Sequence, residues 1–171
     1  MIILCIGMCI SYSYADTTKS SDNVSNFLSK KIENTLAKLA EKIEYCTKQE
    51  QMSTLTISAN NLQKEKITVE DFKIATTALN YRNYRHCIED EENTFLYYNL
   101  LQYSESMKQN VVDEEMLNAM LMSLPSHEIL EALSRYEVLP KKVKEYFEER
   151  IGLKPFDIVK TSLPVFKSFR K

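Results

Sequence analysis

Apolar side chains recur at steps of three and four along most of the chain. From Leu28, the positions Ile32, Leu36, Leu39, Ile43 and Cys46 follow at steps of four, four, three, four and three, with Phe27 beside the first. At a helical period this makes one stripe. Lys30, Lys31, Glu33, Lys38, Glu41, Lys42 and Glu44 fill the other side. The pattern predicts an amphipathic helix over about 24–51, with Ser21 to Asn23 offering N-caps. About three heptads without a repeating partner indicate a bundle rather than a coiled coil.

Residues 52–67 break the period. Met52, Leu55, Ile57 and Leu62 are interrupted by Ser, Thr and Asn, and Asn60-Asn61 reads as a turn, so a loop with one short helical turn is expected. Thr68, three residues before Asp71, forms a capping signal, and Ile67 can staple to Phe72. A helix over about 69–90 follows, with Phe72, Ala75, Leu79, Tyr84, Cys87 and Ile88 inward. The acids Glu89 to Glu92 mark a break or an exposed turn, and Thr94 to Met107 resumes as helix with Phe95, Leu96, Tyr98, Leu100 and Leu101 inward. The absence of Pro and Gly from 69 to 108 leaves one long bent helix open.

The second half has shorter periods with clear punctuation. Asp113 caps a helix over about 114–123 that carries Met116, Leu117, Met120 and Leu121. Pro125 stops it, and Ser126 caps another over about 127–137 with Ile129, Leu130 and Leu133 as its inner stripe. Pro140 suits the first turn of a third helix, in which Val143, Phe147 and Ile151 repeat at four and Gly152 stands as the C′ residue. Pro155 to Leu163 reads as a last short helix before Pro164. Residues 16–23 and 165–171 read as frayed ends.

The expected fold is all-α: a single-domain helical bundle of about six helices, long ones in the N-terminal half and short ones in the C-terminal half. No repeat of 20–50 residues is visible. The short capped helices of 113–152 also suit a solenoid, but their spacing is uneven. Composition narrows the picture further. The chain has 171 residues with two Gly and four Pro, where average usage gives about a dozen Gly. That scarcity excludes Gly-dependent hairpins and phosphate-cradling loops.

The run MIILCIGMCI at Met1–Ile10 is almost unbroken in its apolarity, and Ser13 and Ala15 occupy the small-residue places before a cleavage point. Ten residues are too few to span a bilayer. Residues 1–15 therefore read as a signal peptide removed near Ala15, although the run lacks a leading Lys or Arg. The mature chain, 16–171, is expected in the periplasm or outside the cell. Neither Leu4 before Cys5 nor Met8 before Cys9 suits a lipidation site. Export leaves Cys46 and Cys87 as an even pair in an oxidising compartment, which predicts a disulfide between them.

The formal net charge is −2, with a net of −9 over 88–137 and +5 over 141–171. Nothing in that balance favours nucleic acid. No G-x-S-x-G, H-E-x-x-H or EF-hand spacing occurs, and no metal or cofactor is expected. The two histidines, His86 and His127, each have nearby acids. His86 with Asp90 at i,i+4 would be the core of a His/carboxylate hydrolase, the weakest of three readings.

A cluster on 81–103 is more suggestive. Tyr81, Tyr84, Tyr97, Tyr98 and Tyr103 are interleaved with Arg82 and Arg85. Tyr and Arg bury large area while keeping a polar handle, which is why they anchor interfaces. The leading expectation is an exported helical protein that binds a protein partner through these seven residues, in an adaptor, inhibitor or immunity-type role without catalysis. The alternative is a carrier of a small apolar ligand held near Met116 and Met120.

Overall fold

A computed structural model of the chain describes the backbone of residues 3–108 and 124–169, and side chains within them from Asn23 onward. The helix expected over 114–123 lies outside the described residues, as do the side chains of the proposed leader. The architecture is an all-α bundle with six helices and no strand among the described residues: α1 (Ile3–Met52), α2 (Ala59–Lys64), α3 (Val69–Lys108), α4 (His127–Glu137), α5 (Lys141–Ile151) and α6 (Ile158–Phe169). Long helices come first and short ones last, as the periodicity predicts.

Three boundaries differ from the sequence reading, and an open one is decided. α1 runs from Ile3 rather than from about 24, through the stretch expected to fray. Of the alternatives left open at 89–92, the structure has the continuous one: the acidic run makes no break, and α3 is one helix of 40 residues. Asn60 and Asn61 fall inside α2 rather than in a turn. α6 passes through Pro164 to Phe169, so 165–169 is helical where a frayed tail is expected. Burial explains this last case: Val165 is 1% exposed, and Phe166 and Phe169 pack against the core.

Contacts divide the chain into two compact units, Met1–Lys38 with Glu91–Met122, and Leu39–Asp90 with Ser123–Lys171. The second holds one continuous core. Phe72, Phe147 and Phe156 are fully buried there with Leu62, Leu79 and Val165 around them. Phe72 meets Phe166 edge-on at 5.6 Å between ring centroids, and Phe147 at 6.1 Å. Such edge and tilted pairs place the positive ring edge against a negative face.

Local chemistry builds this core in the order of the chain. α2 closes without glycine. Lys66 adopts φ 57°, Ile67 N–H donates to the Leu62 carbonyl at 2.8 Å, and Lys66 N–H to that of Gln63 at 3.1 Å. These are the paired closing bonds of a Schellman turn, and its two apolar ends, Leu62 and Ile67, both enter the core. The expected cap follows at once. Asp71 N–H donates to Thr68 Oγ1 at 3.0 Å, and Thr68 N–H to Asp71 Oδ2 at 3.1 Å. At α4, Ile129 N–H donates to Ser126 Oγ as the sequence predicts. α5 ends at Gly152, with φ 64° and ψ −147°, a region that only glycine enters freely.

Two asparagines on α3 join the helix to the loop after α5. Asn83, fully buried, donates through Nδ2 to the carbonyls of Gly152 and Lys154, at 3.0 Å each. Asn80 Nδ2 donates to the Phe156 carbonyl at 2.6 Å and to Glu50 Oε1 at 3.2 Å. The loop before α2 is held from the far end of the chain. Leu55 N–H donates to Thr161 Oγ1, and Asp157 N–H to the Ser53 carbonyl.

The expected disulfide is present. Cys46 and Cys87 join α1 to α3 with 6.1 Å between their Cα atoms, inside the range a disulfide spans without backbone movement.

Side-chain faces are corrected in three places. On α1 the buried positions are Leu28, Thr35, Leu39 and Cys46, whereas Phe27, Leu36 and Ile43 are exposed. At 100° per residue, Thr35, Leu39 and Cys46 fall within about 20° of Leu28, and Leu36 about 80° away. The apolar stripe is wider than the strip that is covered. On α3, Phe72, Thr76, Leu79 and Asn83 share one side, whereas Ile88, Glu92 and Asn99 fall on the opposite side. A single inner face for this helix does not exist, and Leu100, expected inward, is exposed. On α4 the buried residues are Ala132 and Tyr136, with Leu130 half exposed.

Candidate functional site

All seven residues of the Tyr/Arg cluster lie on α3, and none of them is among the buried residues. Their surroundings differ. Tyr81, Arg82, Tyr84 and Arg85 belong to the unit with the continuous core, and Tyr97, Tyr98 and Tyr103 to the other. Tyr97 is 57% exposed, and its ring meets Tyr98 edge-on at 5.4 Å. Arg82 Nη1 lies 3.3 Å from Glu148 Oε1, and the Tyr84 and Thr47 hydroxyls are 3.4 Å apart.

Arg82 ends a small polar network. Buried Tyr136 donates its hydroxyl to the same Glu148 oxygen at 2.8 Å. That hydrogen bond is the main cause that holds the Glu148 carboxyl below its ordinary range, and Arg82 adds to it. Burial, then the bond to Glu148 and its charge, push the Tyr136 phenol well above its ordinary value. The network ties α3, α4 and α5 together.

Tyr81 and Tyr84 take part in a different feature. Three adjoining clefts, of about 300, 330 and 310 Å³, open along α3 in this unit. Thr77 lines all three. α3 contributes Glu70, Lys73, Thr77, Asn80, Tyr81 and Tyr84, positions that recur at three and four on one stripe. α6 lines the first cleft with Ile158, Val159, Leu163 and Phe166. α4 lines the third with Glu128, Glu131, Ala132 and Arg135. The middle cleft takes Ile129 from α4 and Ile158 from α6, with Tyr81, Tyr84 and Glu50.

α6 covers only part of its apolar surface at this groove. It buries Thr161, Ser162 and Val165 while Val159 is 67% and Leu163 49% exposed. Thr161 is inside because its hydroxyl accepts the Leu55 amide. The exposed pair is separated by four residues, and so forms one apolar ridge beside the groove. Sequence reading missed Thr77 and all of α6 here. The available signal was the spread of apolar residues in 156–169, where Ile158, Val159, Leu163, Val165, Phe166 and Phe169 do not fit on one helix face.

The remaining candidates are less developed. His86 Nδ1 lies 3.2 Å from Glu89 Oε2, and both members are exposed. His127, the first residue of α4, is exposed as well. Among the described residues no group of three or more His, Cys, Asp or Glu could hold a metal ion, and no helix is long and apolar enough to cross a membrane. Met116 and Met120 lie outside the described residues. No family model, curated protein or solved structure matches the chain.

Proposed function

We propose that the chain is an exported helical protein that binds another protein, in an adaptor, inhibitor or immunity-type role, without catalysis of its own. The observation that carries this reading is the groove along α3, with Tyr81 and Tyr84 in its lining and the exposed Val159–Leu163 ridge beside it. Apolar residues exposed in a row beside aromatic anchors are the ordinary composition of an interface centre. The cysteine pair supports export, because a structural disulfide persists in oxidising compartments.

Site-specific photo-crosslinking tests the reading. A photoreactive residue is placed at Tyr81, Val159 or Leu163 in the native host, and at Lys141, which is 87% exposed and lines none of these clefts, as control. Defined adducts from the groove positions and none from Lys141 are expected. Folded protein that gives no adduct at any groove position refutes the reading. A second reading, a carrier of a small apolar ligand, draws on the first cleft, whose volume of about 300 Å³ sits at the lower end of the range for ligand pockets. Native mass spectrometry of the purified chain separates the two.

A further inference from the structure

We infer that the groove along α3 receives an amphipathic α-helix of the partner, apolar where it faces α6 and carrying Lys or Arg at its flanks. This rests on the protein-binding reading and specifies its ligand.

Three features of the groove lead there. The first is length. The lining positions on α3 run from Glu70 to Tyr84, which at 1.5 Å per residue is about 21 Å, or four turns of a docked helix. The second is shape. The lining is a stripe of one helix flanked by two others, the form into which a helix lays its own apolar ridge at i, i+3, i+4 and i+7. The described residues hold no sheet edge for an extended peptide to join. Ile158, Val159 and Leu163 present apolar surface for that ridge, with Val159 and Leu163 still largely in solvent.

Charge decides the flanks. Four acids line the clefts, Glu50, Glu70, Glu128 and Glu131, against two bases, Lys73 and Arg135. Arg135 is already engaged, at 2.8 Å from Glu70 and 3.6 Å from Glu131. Glu50 sits beside Tyr84 and Asn80 at one end of the stripe, and Glu70 with Glu128 at the other. The Glu128 carboxyl is held in its charged form by its own backbone amide and by Ser126. An acidic or neutral helix would leave this surplus uncompensated, whereas Lys or Arg about one turn beyond the apolar ridge meets it on both sides.

The test is a displayed library of helical peptides about fourteen residues long, matched to the groove. An apolar ridge is fixed and the flanks vary among Lys, Glu and Gln. Selection is against the full chain with its disulfide intact. Lys-flanked peptides are expected to be enriched, and their affinity should fall by about tenfold or more on Val159→Glu or Thr77→Arg. Val159 is so exposed that its change leaves the fold intact, which thermal unfolding verifies. Glu128→Lys with Glu131→Lys should turn the preference towards Glu flanks. Enrichment without flank preference, affinity indifferent to Val159→Glu, or no enrichment at all overturns the inference. Photo-adducts at Val159 and Leu163 combined with any of those results would leave the protein-binding reading standing and remove only the helix-in-groove assignment.

Discussion

Opening the Cys46–Cys87 bond should cost about 4 kcal/mol of stability. The bonded residues are 41 positions apart, and closing a loop of that length in the unfolded chain removes about 13 cal/mol/K in the chain-entropy model, or about 3.9 kcal/mol at 25 °C. Total stabilities of single domains are about 5–15 kcal/mol, so the bond carries a large share. The clean perturbation is Cys46→Ala with Cys87→Ala. Cys46 is fully buried, and a Ser there would add the separate cost of a buried hydroxyl. The assay is urea unfolding followed by far-UV circular dichroism, oxidised chain against the double variant. With a slope of about 2 kcal/mol per molar, the midpoint should fall by about 2 M. Reduction of the natural chain should reproduce most of that shift. A second arm isolates the mechanism. Ten residues inserted in the loop at 53–58 should raise the bond's worth by only about 0.2 kcal/mol, because loop entropy grows with the logarithm of length. A loss under about 1 kcal/mol on opening the bond would refute the reasoning.

Asn83→Ala should cost about 2–3 kcal/mol through its two lost hydrogen bonds, and Asn83→Asp more, since a buried carboxylate would face the carbonyls of Gly152 and Lys154; chemical denaturation ranks the two. Gly152→Ala should cost about 1–3 kcal/mol although nothing lies within 4 Å of the added Cβ, because φ 64° with ψ −147° strains any other residue. Lys66→Gly should instead stabilise the chain by up to about 1 kcal/mol by relieving φ 57° at the end of α2, read as a raised melting temperature. Glu148 has a lowered folded pKa, so its contribution is present above its unfolded value of 4.5 and is lost as pH falls through the folded one. Glu148→Gln should flatten that acid limb, by less than about 1 kcal/mol for so exposed a group. Tyr136 has a raised folded pKa, so its contribution is present below 10.0 and is lost as pH rises above that value; Tyr136→Phe should remove this alkaline limb.

Much of the fold can be read from local rules. The Thr68 and Ser126 caps, the Val143–Phe147–Ile151 face and the cysteine pair rest on interactions within a turn or on compartment chemistry, and the structure contains each of them. The errors share another origin. Which apolar residues are covered depends on what packs against them, and Leu36, Leu100 and Leu130 have the periodicity of core positions without the neighbours. α3 is the clearest case, because a helix whose covered side reverses between Asn83 and Ile88 has no single period to detect. The end of α2 was hidden because its left-handed residue is Lys66 rather than a glycine. Of the proposed site, Tyr81 and Tyr84 could be found from residue type. Thr77, Val159 and Leu163 could not, since their importance comes from the helices that meet around them.

The bonds between the loop before α2 and α6 also set a timetable for synthesis. Leu55 waits for a partner 106 residues later, and the Gln51 carbonyl for one 109 residues later. At about 5–20 residues per second, the ribosome needs about 5–20 s to supply them. Over that interval Leu62, Phe72 and Leu79 are made first, Tyr136, Val143 and Phe147 follow, and Val165 comes after Thr161, so the core these residues share is completed only once α6 has been made.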